Sequence, residues 1–119
     1  STYAESLYEE LNTMVPIKHK LIPDSLLWVS EDCHVKTTGY KGYIGHDRID
    51  PKCRARGVEC VYYGWRKPSE IVKSLLIDKG VFSLGHRNAC LDKTNHKVGV
   101  SHGKHKTHDQ MCAISFRRS

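Results

Sequence analysis

The spacing of apolar residues divides the chain into helical and strand-like stretches. In "YAESLYEELNTM" (3–14), Leu7, Leu11 and Met14 recur at helical spacing, and the helix this predicts ends before Pro16. Pro23-Asp24-Ser25 offers a second start, and "SLLWVSEDCHVK" continues it with Leu26, Leu27, Ser30, Cys33 and His34 toward a stop near Gly39. A long loop, Thr37 to Arg56, is punctuated by Gly39, Gly42, Gly45 and Pro51. "VECVYYG" (58–64) is β-branched and aromatic, a short strand. Pro68 suits the first turn of a third helix with an apolar stripe of Ile71, Val72, Leu75 and Leu76, and Gly80 is its expected C-terminal cap. A short helical turn around Arg87–Leu91 follows, then "KVGVSH" and "MCAISF", two strands joined by the polar loop "GKHKTHDQ". Helices come first and the strands are mostly late and antiparallel, so the expected class is α+β.

At 119 residues the chain makes one domain, 1–119, large enough for a single core and too small for two. No apolar run approaches the roughly 20 residues that a membrane-spanning helix needs. Net charge of +6 favours anionic surfaces, but Lys18/Lys20, Arg54/Arg56, Lys104/Lys106 and Arg117/Arg118 are scattered and no nucleic-acid-binding signature is present. The charge is therefore read as a solvated surface, with no nucleic-acid partner. Five cysteines without a CxxC pair point to disulfides in an oxidising, extracellular setting, and the odd count leaves one thiol free or joined to a second chain as a covalent dimer. Cys90 with Cys112 and Cys53 with Cys60 are the expected bridges, which leaves Cys33 over.

Candidate chemistry follows one order along the chain. His46 stands in Gly45-His46, and Glu59 in Gly57-Val58-Glu59-Cys60 ahead of Val61-Tyr62-Tyr63-Gly64. Asp78 closes the helix "PSEIVKSLLID", Gly85-His86-Arg87-Asn88 follows, and then comes "KVGV". Over about residues 5–116 this order resembles the CAP superfamily, the cysteine-rich secretory, antigen 5 and pathogenesis-related-1 proteins, and especially its short SCP-like extracellular branch. The resemblance implies a three-layer α-β-α sandwich with a small, mostly antiparallel sheet. It also implies a cleft lined by His46, Glu59, Asp78 and His86. Asp78 stands where the family usually has glutamate, and Cys60 replaces the asparagine that customarily follows the first acid.

Two imidazoles with one or two carboxylates suit Zn²⁺ or another divalent metal, which accepts N and O ligands and keeps a place for water. The same four residues also suit a metal-free hydrogen-bonded network in which each acid orients an imidazole. A second candidate metal loop is "SHGKHKTHD", where His102, His105 and His108 recur at intervals of three. The lysines between them repel a cation, so a solvated loop that titrates near neutral pH is the favoured reading. Below about pH 6 such a loop would be positive enough to hold an acidic polysaccharide.

No GxSxG, HExxH, Walker or Rossmann motif is present, so an enzyme reading rests on the His/acid cluster alone, with Glu59 as base toward a metal-bound water. The expected function is a secreted, disulfide-braced CAP-like module that binds a lipid, a sterol or an extracellular protein. The alternatives are a metal-dependent hydrolase and an extracellular-matrix protein that holds acidic polymer or metal through its basic, histidine-rich loop.

Overall fold

Two long strands at the end of the chain organise everything else. The computed structural model describes residues 2–119 and runs α1 (Thr2–Thr13), β1 (Ile22–Pro23), α2 (Ser25–Gly39), β2 (Val58–Tyr63), α3 (Pro68–Ile77), α4 (Gly85–Leu91), β3 (Lys97–His105) and β4 (Asp109–Arg117). The sheet order is β1-β3-β4-β2; β3 and β2 both flank β4 antiparallel, and β1 joins β3 parallel through Ile22 and Pro23.

Alternation along β4 sends its side chains to two different layers. Met111 and Ala113 point to one face, where Val35 of α2 and Val61 and Tyr63 of β2 complete an apolar cluster. Cys112, Ile114 and Phe116 point to the other, against Cys60 of β2, Leu75 of α3 and Ala89 of α4. The molecule is thus α+β, with α2 on one face of the sheet and α3 and α4 on the other. Asp24 caps α2, its carboxylate accepting from the Leu26 N–H. That helix lies so close to β3 that a Cβ on Gly99 would collide with the Leu27–Trp28 backbone, and one on Gly39 with the Lys104 carbonyl.

Three details differ from the pattern reading. The strand β3 runs on through His105, so the hairpin loop is short; Gly103, Lys104 and His105, expected in the loop, belong to the strand. The α3 helix stops at Ile77 rather than at Gly80, because Asp78 itself turns left-handed (φ 56°, ψ 41°). Finally, β1 pairs with β3 although only Ile22 and Pro23 take part, too short a run to read from alternation.

The bridge also differs. Cys33 of α2 is bonded to Cys53 of the long loop, with their Cα atoms 5.1 Å apart, while Cys60, Cys90 and Cys112 are thiols. The loop folds back over α2, where the Ser30 hydroxyl donates to the Arg54 carbonyl (2.7 Å), and this brings Cys53 to Cys33. Cys60 is on the opposite face of the sheet and out of reach of Cys53. Cys112 pairs in register with Tyr62, two positions along from Ile114, the residue that pairs with Cys60; α4 sets Cys90 against Cys60 instead.

Candidate functional site

The first acid–histidine pair is built on the α2 face. Tyr63 and His34 pin the glycine-rich loop at Gly45, whose N–H donates to the Tyr63 hydroxyl (2.9 Å) while its carbonyl accepts from His34 Nε2 (3.0 Å). The next residue, His46, is left half out of the surface with its Nδ1 2.8 Å from Glu59 Oε1. Arg48 fixes the far side: its Nη2 donates to Glu59 Oε2 (2.7 Å) and to Glu31 Oε1 (3.3 Å), its Nε to the Cys53 carbonyl (2.7 Å) and its Nη1 to the His46 carbonyl (2.8 Å). A loop without regular structure is thereby held by a largely enclosed guanidinium and a disulfide.

The charges in this cluster separate. Burial, reinforced by the neighbouring Glu59, pushes the Glu31 carboxyl up to about 8, against the lowering influence of Ser115 and Arg48. Burial would raise Glu59 as well, but hydrogen bonds from Glu31, Arg48 and His46 outweigh it and hold Glu59 at about 2. At neutral pH Glu31 therefore carries a proton, and Glu59 is the carboxylate that neutralises Arg48. His34, fully enclosed, is driven down chiefly by burial.

The second pair closes the turn from α3 to α4. The left-handed Asp78 turns its carboxylate onto the start of α4: Oδ2 accepts from the His86 and Arg87 backbone N–H groups (2.9 and 3.2 Å), and Oδ1 lies 2.8 Å from His86 Nδ1. A buried acid thus serves the helix start and the imidazole together. In both pairs the carboxylate can only accept, so Nδ1 carries the proton and Nε2 is the ring nitrogen that its acid does not engage. Each imidazole is thereby prepared for service as a base or a ligand.

The two pairs are not one ligand set. Glu59 faces α2, whereas Asp78 and His86 belong to the α3–α4 layer on the other side of the sheet. Among the described residues no three His, Cys, Asp or Glu side chains converge in a way that would hold a metal ion. The donors present therefore do not fit the expected zinc centre, and no chemical step is derived through a metal. The histidine loop is not a ligand set either. On a strand, residues three apart point to opposite faces, so His102 and His105 diverge. Both nitrogens of His105 are occupied, Nε2 on the Tyr43 carbonyl (2.9 Å) and Nδ1 by the Thr107 and His108 N–H groups (3.3 and 3.1 Å). His108 stacks obliquely on His105 and Tyr63.

A groove of about 570 Å³ opens on the α3 face of the sheet. Trp65, Ile71 and Val72 form one wall, Val100 and Ile114 the other, and Arg66, His102 and Gln110 supply its few polar groups. The sequence singled out Ile71 and Val72 only as a helix stripe and His102 only as part of a histidine loop; that they share a groove was not legible, because the walls come from remote segments that no spacing rule connects. Glu31, His34 and Arg48 were also missed, although the polar positions Ser30, Glu31, His34 and Thr38 recur at helical spacing on the buried side of α2. Compared with known proteins, the chain matches no family model and no curated sequence.

Proposed function

We propose that the chain is an extracellular binding module of CAP type that takes a lipid or sterol into the groove between α3 and the sheet. The groove carries this reading: its volume falls in the range of small-ligand sites, its walls are apolar, and its few polar groups can orient a ligand without neutralising a charged one throughout. Val72 and Val100 remain nearly half exposed there (46% and 44%), apolar surface that a ligand would cover. The element order from Gly45-His46 through Gly85-His86-Arg87 to the final hairpin, laid out as α-β-α, supports the CAP-like part of the reading, and the Cys33–Cys53 bridge supports an oxidising location. In this reading the acid–histidine pairs brace the loop and the α3–α4 turn. A hydrolase reading has no observation behind it beyond those pairs, which sit on separate layers.

Trp65 in the groove wall reports binding directly once the other tryptophan is replaced, in a Trp28→Phe background. Titration with a fluorescent sterol and with oleate is expected to give saturable energy transfer or quenching with at least one of them, weakened at least tenfold by Val100→Asp. No saturation with either, or an isotherm that Val100→Asp leaves unchanged, would overturn the reading.

A further inference from the structure

The bridge Cys33–Cys53 leaves a second pair of sulfurs facing each other across the other half of the molecule. Cys60 is on β2 with 1% of its surface exposed, and Cys90, on α4, packs against the same apolar cluster as a partly buried residue. Cys90 packs against the cluster that contains Cys60, and the interaction between the two thiols raises Cys60 and lowers Cys90, while burial and the Asp78 charge act on both in the raising direction. The pair is thus unequal. Cys90 is the more accessible sulfur, and Cys60 is the enclosed one.

We propose that Cys60 and Cys90 form a thiol–disulfide site, a second covalent tie that joins β2 to α4 when the protein meets a low-molecular-weight disulfide. The Cys90 thiolate attacks one sulfur of the oxidant, for example glutathione disulfide, forming a mixed disulfide and releasing one glutathione thiolate that takes up the proton Cys90 has lost. Cys60 then gives up its proton and attacks the Cys90 sulfur, closing Cys60–Cys90 and expelling the second glutathione. Two protein thiols are oxidised and one small disulfide is reduced to two thiols. The order of attack follows from accessibility and thiolate character. The enclosed Cys60 makes a poor first nucleophile but a well-placed resolving one.

The tie lies beside functional geometry. Cys90 is on the same short helix as His86, whose ring and backbone are held by Asp78. Closing the bridge fixes that helix to the sheet edge and therefore fixes the Asp78–His86 turn as well. Cys112, two register positions away and without a facing sulfur, stays a thiol.

The test treats the intact, folded chain with glutathione disulfide, alkylates what remains and maps the cysteine peptides by mass. Of the three thiols, Cys60 and Cys90 are expected to disappear together into one linked peptide pair, while Cys112 stays alkylatable. The closed form should melt about 10 °C higher, because the bridge shortens a long loop in the unfolded chain. In Cys60→Ala the resolving sulfur is gone, and a stable glutathione adduct should collect on Cys90. Three alkylatable thiols after treatment of the wild-type chain, or a linked pair that includes Cys112, would overturn the proposal; the wild-type map decides this even if the variant fails to fold.

Discussion

Glu31 and Glu59 lie within reach of one guanidinium yet hold opposite protonation states, and that difference makes the stability of the fold depend on pH in two directions. Glu59, with its carboxyl at about 2 when folded, contributes stability that is complete above the ordinary carboxylate range and is lost as pH falls toward 2. Glu31, at about 8 when folded, contributes stability that is complete below the ordinary carboxylate range and is lost as pH rises toward 8. Urea unfolding of the wild type relative to Glu31→Gln should therefore show a loss between about pH 5 and about pH 8 on the order of 1 kcal/mol per pH unit, absent from the variant. Equal slopes in the two proteins would show that other groups set the alkaline limb. Glu59→Gln leaves Arg48 buried opposite a neutral amide and a neutral acid, and the same experiment at neutral pH should report a loss of roughly 3 kcal/mol.

The contact between α2 and β3 is so close that it depends on a missing side chain. Gly99→Ala would drive a methyl into the Leu27–Trp28 backbone, and thermal unfolding should register a loss of about 2–3 kcal/mol. Gly85→Ala is the matched control. At the start of α4 an added Cβ meets only the Ser83 hydroxyl at 3.6 Å, so the melting point should hardly change. A Gly99 variant as stable as the control would mean that α2 rides higher on the sheet than described. Elements were legible where the chain repeats a period: α1, α2, β2 and the body of α3 all stand close to where the apolar spacing put them. They were illegible where tertiary context decides. Lys104 looks like a loop residue but sits on the exposed face of a strand, and β1 is a strand only because β3 offers it an edge. At Asp78 a side chain that caps the next helix stabilises a left-handed backbone that sequence alone would assign to Gly80.

For the molecule as a whole, the sheet divides what the sequence grouped together. His46 with Glu59, and Asp78 with His86, were legible as pairs because each joins motif residues, and in each the acid does hold its imidazole. Their relation to one another was not legible, since it depends on which side of β2 each motif approaches. The groove was hidden for the same reason. Because the groove contains neither pair, a ligand isotherm measured through Trp65 should be unchanged by prior treatment with a chelator; a shifted isotherm would tie the groove to a metal after all. One buried side chain has a consequence for how the chain is made. Arg87, wholly enclosed, donates to the Leu76 and Ile77 carbonyls at the end of α3 and to the Tyr3 carbonyl and Ser6 hydroxyl of α1, across 84 and 81 residues of sequence. No residue of α1 is buried, and this arginine is a main tie between that helix and the body. Within this stretch of chain α1 is therefore made well before the arginine that anchors it, and it docks only after α3 and α4 have met.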